Sequence, residues 1–141
     1  MTVLLALWLA AAPSAAEPPV WWGRMLASIE SHLGRPYAWG STGLKGFDCS
    51  GFVWRVLAES GMLTKRTTAR KYYLSLKPAT RAETKEAGSI VFFDNLKHVG
   101  IVSDGATFYH AAVSTGTSKA AYQPYWGKLV CGYRRSPLKT N

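Results

Sequence analysis

The hydrophobic pattern of the sequence changes once, near Gly88, and this change limits the folds that the chain can adopt. Before that point apolar residues recur at helical spacing, and after it they form short β-branched or aromatic runs separated by turn residues. Helices followed by strands indicate the α+β class, with helices packed on an antiparallel sheet. The 141 residues suit one domain.

Three helices are predicted before Gly88 and four strands after it. Glycine ends the first two helices, with a proline close behind the first of them, and the third helix ends just before a proline. The helices are predicted over residues 22–33, from about 49 to 60, and 68–76. The strands are predicted over residues 89–93, 98–102, 107–113 and 129–133.

The amino terminus has the pattern of a targeting segment. Residues 3–12 are apolar, but a membrane span needs roughly 20 such residues. Pro13 and small residues follow, so cleavage after Ala16 is predicted. We therefore expect a signal peptide over residues 1–16, no membrane span, and an exported domain over residues 17–141, periplasmic or secreted. A buried N-terminal helix is the alternative interpretation.

The charge balance favours an anionic partner. Lys and Arg number 17 against 8 Asp and Glu, which gives a net charge of +9. Long-range attraction of this size favours wall carboxylates, wall polymers or anionic lipid surfaces. Nucleic acid is not expected as a partner, because basic and aromatic residues do not interleave in one element. A basic surface that only aids solubility would explain the charge equally well.

Cys49 is the first candidate for chemistry. It lies in the sequence Asp48-Cys49-Ser50-Gly51, after a glycine-rich loop and at the predicted start of the second helix. Unpaired N–H groups and the positive end of the helix dipole favour a thiolate there, and the thiolate is the nucleophilic form. The same N–H groups could donate to an oxyanion. Asp48 is predicted to cap this helix.

A cysteine nucleophile needs a base, and the chain has three histidines. His32, late in the first helix, is interpreted as a surface or capping residue. His98 opens one predicted strand and His110 lies in the next. A three-residue loop over 103–105 would put these two histidines opposite each other, with Cβ atoms roughly 5 Å apart. A two-residue turn over 104–105 would put them on opposite faces of the sheet.

Only the first register gives a catalytic triad. In it, His98 takes the proton from Cys49, and His110 orients His98 through a hydrogen bond. This pairing is expected to lower the pKa of the thiol below that of a free cysteine. The alternative is a disulfide between Cys49 and Cys131, which is common in exported proteins. Cys131, in an apolar strand, is interpreted instead as a small buried hydrophobic residue.

Five motifs, in this order, resemble those of the NlpC/P60 family of papain-like cell-wall peptidases. They are GRPYAWG at 34–40, FDCSGFV at 47–53, GSIVFF at 88–93, HVGI at 98–101 and YHAA at 109–112. The similarity extends from about Ala27 to the end of the chain. The sequence departs from the family pattern at Ser41, Ser89 and Arg70-Lys71, where glycine, aspartate and glutamine are expected. These departures concern substrate choice more than catalysis.

The resemblance implies a permuted papain-like NlpC/P60 fold and the hydrolysis of stem-peptide bonds in peptidoglycan. The bond commonly cut in this family joins γ-D-glutamate to diaminopimelate or lysine. By resemblance, Cys49 is the nucleophile, His98 the base and His110 the orienting residue. No cofactor and no metal are expected.

Four further residues are substrate-binding candidates through the same resemblance. Tyr37 would line the site and assist the oxyanion, and Trp39 belongs to the same motif. Asp48 and Ser50 would meet polar groups of the stem peptide, since a carboxylate can pair with a free amine. A core aromatic residue and a helix cap are the plain structural alternatives for Tyr37 and Asp48.

Three rival functions remain open at the level of sequence. The same triad could serve an amidase or an acyltransferase. The enzyme could be a secreted wall-degrading toxin rather than a remodelling enzyme of its producer. A disulfide between Cys49 and Cys131 would instead favour a non-catalytic module that binds the wall.

Overall fold

The structure is a computed structural model that describes residues 16–43 and 45–140. The signal peptide predicted over residues 1–16 therefore lies outside the described residues, apart from Ala16. Within the described ranges, no helix is long and apolar enough to cross a membrane.

In the described residues, three α-helices precede the sheet, as predicted. They are α1 (Val20–His32), α2 (Cys49–Glu59) and α3 (Ala69–Ser75). The side chain of Asp48 caps α2 by accepting a hydrogen bond from the N–H of Gly51 at 2.7 Å, which confirms the predicted cap. Thr68 caps α3 in the same way through the N–H of Lys71. Two 3-10 turns cover Glu83–Lys85 and Trp126–Leu129.

The second part of the chain forms an antiparallel sheet, which confirms the α+β class. Its strands are β1 (Ile90–Phe93), β2 (His98–Val102), β3 (Thr107–Ala112), β4 (Gly116–Ala121) and β5 (Val130–Arg134). Their spatial order is β4-β3-β2-β1-β5, and all pairings are antiparallel. The edge strand β4 was not predicted, because its sequence GTSKAA is small and polar and lacks a strand-like apolar pattern.

The sheet has a core on each face. Alternate residues of β1 and β2 face helices α1 and α2, where Phe52, Val53 and Val56 of α2 are fully buried. The other face carries a second cluster of Val91, Phe93, Val102, Phe108 and Tyr122. Burial on both faces fixes which residues of each strand point to which side.

The register between β2 and β3 differs from the predicted one. Ile101 pairs with Tyr109, and continuing this register puts Gly100 opposite His110. His98 is therefore a diagonal neighbour of His110, an arrangement that neither the three-residue nor the two-residue turn would give. Because His98 and Gly100 are two positions apart on one strand, both histidines still share a face of the sheet.

The loop between β2 and β3 accounts for this register. It is longer than the predicted three-residue turn, since the N–H groups of Ser103 and Asp104 both donate to the carbonyl of Thr107. The carboxylate of Asp104 accepts hydrogen bonds from the N–H groups of Ala106 and Thr107, each at 2.8 Å. These side-chain bonds stabilise a wider loop than a type I turn requires.

Candidate active site

Cys49 is the first residue of α2 and is partly exposed as a free thiol. Its Sγ lies 3.8 Å from the carbonyl oxygen of Lys97, which accepts its hydrogen bond. The N–H groups of Val99, Ser50 and Cys49 itself also face the sulfur and favour its thiolate. The start of β2 therefore lies against the start of α2 at the sulfur atom.

Cys131 is also a free thiol, so the structure contains no disulfide between it and Cys49. Its side chain is exposed, and the interpretation of Cys131 as a buried hydrophobic residue is wrong. The reason is the position of β5 at the edge of the sheet. An apolar neighbourhood in the sequence does not bury an outward-facing position of an edge strand.

Asp48 fixes the start of α2 to the loop before it. Besides capping Gly51, its carboxylate accepts a hydrogen bond from the N–H of Gly40 at 3.0 Å. The guanidinium of Arg66 pairs with the same carboxylate. A Cβ at position 51 would collide with the carbonyl oxygen of Ser41, so glycine is required beside the cysteine.

Arg66 lies between these groups and solvent. Its Nη1 donates to the hydroxyl of Ser50 at 2.9 Å, and Ser50 is buried. The side chain of Arg66 is 31% exposed against 12% for Asp48. The guanidinium is therefore the more accessible charge on this side of Cys49. Direct contact of Asp48 and Ser50 with a stem peptide remains a prediction.

His98 and His110 form a hydrogen-bonded pair. Nε2 of His98 lies 2.8 Å from Nδ1 of His110. His98 is half-buried and His110 is 1% exposed. If Nε2 of His98 carries the shared proton, its Nδ1 keeps a lone pair and is free to act as a base. His110 then accepts that proton's hydrogen bond and fixes the ring of His98.

Trp126 covers this pair from the side opposite the helices. Its indole stacks on the ring of His98 with a centroid distance of 4.8 Å and an angle of 23°. It meets His110 edge-on at 4.9 Å. Phe93 and Phe108 also contact the two imidazoles. The histidine pair therefore lies in a largely aromatic environment.

Burial controls the protonation of these groups. It lowers the pKa of His98 to about 4. Burial, followed by the charge of His98, lowers the pKa of His110 to about 3. Burial and then the carboxylate of Asp48 raise the pKa of Cys49, so the prediction of a lowered thiol pKa is wrong. At neutral pH the resting site holds a thiol and two neutral imidazoles.

Two clefts meet at Cys49, and both are also lined by Tyr37 and Lys97. The basic cleft has a volume of about 720 Å³ and is further lined by Trp39, Asp48, Ser50, Arg66, Arg70 and Lys71. The aromatic cleft has a volume of about 440 Å³ and is further lined by Asp94, His98, Val113, Tyr125, Trp126 and Leu129. Together the two clefts provide room for a peptide ligand on each side of the sulfur atom.

Two of the four substrate-binding candidates, Tyr37 and Trp39, have solvent-accessible side chains that line these clefts. Tyr37 is half-buried, and burial, then the charges of Cys49 and Asp48, raise the pKa of its hydroxyl. It therefore stays a hydrogen-bond donor at neutral pH. Trp39 is 88% exposed on the rim of the basic cleft.

His32 does not belong to the site. It is 7% exposed, and its Nε2 lies 2.9 Å from a carboxylate oxygen of Glu59. This contact joins the end of α1 to the end of α2. The interpretation of His32 as a surface or capping residue is therefore wrong, because a partner from another helix allows its burial.

The sequence patterns indicate no role for Trp126 or Lys97. Trp126 lies in a 3-10 turn whose sequence has no helical or strand period, so only the fold brings it to the histidines. Lys97 immediately precedes His98, but nothing in the sequence indicates that its carbonyl faces Cys49. Among the residues that the structure describes, no cluster of three metal-ligating side chains occurs.

The chain is also similar to known proteins in sequence. The sequence profile described as the NlpC/P60 family matches residues 34–135. The probable endopeptidase p60 of Listeria innocua is 34% identical over 116 residues, which cover 79% of this chain and 24% of that protein. The γ-DL-glutamyl hydrolase of Bacillus subtilis is 30% identical over 135 residues, which cover 90% of this chain and 31% of that protein. The chain thus spans less than a third of the length of these relatives.

Solved structures share the fold. An NLP/P60-family protein similar to a lipoprotein, from Staphylococcus aureus, superposes with a TM-score of 0.73 at 26% identity and covers 89% of this chain and 45% of its own. RipD of Mycobacterium tuberculosis, described as a non-catalytic NlpC/p60 domain protein adapted to peptidoglycan binding, gives a TM-score of 0.66 at 15% identity. It covers 82% of this chain and 96% of its own length.

Proposed function

Because this chain belongs to the NlpC/P60 family, we propose that it is a peptidoglycan endopeptidase that cleaves stem peptides with Cys49 as nucleophile. The proposed bond joins γ-D-glutamate to diaminopimelate or lysine. Relatives named probable peptidoglycan endopeptidase LytE and γ-DL-glutamyl hydrolase, both from Bacillus subtilis, support this choice of substrate.

One observation carries the proposal. The 2.8 Å bond between His98 Nε2 and His110 Nδ1 leaves the other nitrogen of His98 free, and His98 lines the same cleft as Cys49. A nucleophile, a base and a group that orients the base are the parts that acyl transfer needs.

In the proposed reaction, Sγ of Cys49 attacks the scissile carbonyl carbon as Nδ1 of His98 takes the thiol proton. The oxyanion accepts hydrogen bonds from N–H groups at the start of α2 and from the hydroxyl of Tyr37. His98 then gives its proton to the leaving amine, and the carbon–nitrogen bond breaks to leave a thioester on Cys49. Water, deprotonated by His98, attacks the thioester, and the sulfur leaves as a thiol after taking that proton back.

The resting site is neutral, so charge separates only when substrate is attacked. Burial raises the pKa of Cys49 and lowers that of His98, and both shifts oppose a thiolate–imidazolium pair in the free protein. During attack, His110 accepts the hydrogen bond from Nε2 of His98 and thereby stabilises the imidazolium.

The site of action follows from the substrate. Peptidoglycan lies outside the cytoplasmic membrane, so we propose that residues 1–16 direct export and that residues 17–141 act as the catalytic domain. The net charge of +9 would hold such a domain near anionic groups of the wall.

Digestion of purified peptidoglycan tests the proposed function. The wild type should release muropeptide fragments whose new ends follow a D-glutamyl residue, as measured by mass spectrometry. Cys49→Ala should lower the rate on the order of 10⁶-fold, as expected when a nucleophile is removed from a triad. Cys131→Ala is the matched control and should keep the wild-type rate.

Two other outcomes would contradict the proposal. Binding to peptidoglycan without release of fragments by the wild type would favour a wall-binding module of the kind described for RipD. Transfer of the acyl group to an added amine, in place of water, would favour an acyltransferase.

A further inference from the structure

The basic cleft carries an excess of positive charge. In the described parts of the chain, Arg70, Lys71 and Lys97 form no ion pair, whereas Arg66 pairs with Asp48. Asp48 is the one carboxylate among the lining residues of this cleft. Arg70 and Lys71 are exposed and free to meet a ligand.

The positive charges of Arg70 and Lys71 are unfavourable for the helix that carries them. Both residues lie in the first turn of α3, where unpaired N–H groups make positive side chains unfavourable. They also stand where a glutamine is expected from the family pattern. A local conflict of this kind is expected at functional positions.

The mechanism assigns one part of the substrate to each cleft. His98 must reach the leaving amine, and it lines the aromatic cleft but not the basic one. The leaving side of the substrate therefore occupies the aromatic cleft. The acyl side stays on Cys49 and extends into the basic cleft, toward Arg70 and Lys71.

A γ-glutamyl bond uses the side-chain carboxyl of glutamate, so the α-carboxyl of the same residue stays free unless it is amidated. We propose that Arg70 and Lys71 are specificity-determining residues that select γ-glutamyl substrates with a free α-carboxylate over α-amidated ones. This inference rests on the proposed function. A free carboxylate gains charge-assisted hydrogen bonds from these cations, whereas an amide does not.

Two kinds of substrate carry this chemistry: the unamidated stem peptide of peptidoglycan and γ-linked polyglutamate. The test therefore compares three synthetic substrates, namely a γ-D-glutamyl–diaminopimelate stem peptide, its α-amide, and a γ-linked glutamate oligomer. The measured quantity is kcat/KM for each, at low and at physiological salt.

For the wild type, we expect the free-acid peptide to be cleaved at least about tenfold better than the amide. This advantage should shrink as salt is added, because exposed cations are screened. In the double variant Arg70→Gln/Lys71→Gln the ratio should fall toward one. The control Lys77→Gln removes an exposed cation outside the cleft and should keep the wild-type ratio.

The outcomes separate this inference from the proposed function. Equal cleavage of acid and amide by the wild type, or an unchanged ratio in the double variant, overturns the inference alone. Cleavage of neither peptide overturns the proposed function and the inference with it. Cleavage of the oligomer alone has the same meaning, because peptidoglycan would then not be the substrate.

Discussion

At the scale of single residues, burial has a larger effect on this site than pairing of opposite charges. The pattern of a cysteine at a helix start with two histidines downstream was enough to nominate Cys49, His98 and His110. The expected depression of the thiol pKa was wrong, because the sequence does not reveal how deeply each group is buried. The indole of Trp126 over His98 is one source of that burial.

The pH profile of kcat/KM tests this account of burial. Protonation of His98 removes the base, so the acid limb should lie near the pKa of about 4 set by burial rather than near 6.5. Trp126→Ala should hydrate the imidazole and move the limb upward by about one pH unit. Trp126→Phe keeps an aromatic cover and should move it less. Identical limbs in all three proteins would show that the indole does not control the base.

At the scale of elements, the helices and four of the five strands were predictable, since their apolar periods and terminal glycines are clear. Strand β4 was not, because its small and polar residues form an edge strand only through pairing with β3. The β2–β3 register also differed, since side-chain bonds of Asp104 widen the loop. The two histidines still meet because the shift keeps them on one face.

Gly100 tests the close approach of β2 and β3. A Cβ at this position would lie 2.7 Å from the carbonyl oxygen of Tyr109 and 3.0 Å from the ring of Phe108. Gly100→Ala should therefore lower the free energy of unfolding by about 1–3 kcal/mol in urea denaturation. Gly23→Ala is the control, because nothing lies within 4 Å of a Cβ there. It should stabilise α1 by about 0.5–1 kcal/mol. Equal effects of the two variants would contradict the predicted crowding.

At the scale of the whole molecule, the same sheet carries both the histidine pair of the site and a buried aromatic core. His110 lies in β3 beside the buried cluster of Phe93 and Phe108, so its protonation is coupled to folding. Its folded pKa of about 3 lies below the ordinary value near 6.5. Between these values the unfolded chain binds a proton that the folded chain excludes, so stability falls as pH falls.

Urea denaturation at several pH values tests this coupling. Stability should be highest above about pH 6.5 and should fall toward pH 4 by up to about 1.4 kcal/mol per pH unit for each excluded proton. His110→Asn removes one of these protons and should flatten the dependence. Parallel curves for the variant and the wild type would contradict burial of a neutral His110.

In the proposed mechanism, His110 acts only through His98, and His98 acts on Cys49. The most direct measurement is kcat/KM on a γ-D-glutamyl peptide for His98→Ala, His110→Ala and the double variant. We expect a larger loss for His98→Ala than for His110→Ala, and a double variant no slower than His98→Ala alone. Losses that multiply in the double variant, or a greater loss from His110→Ala, would contradict it.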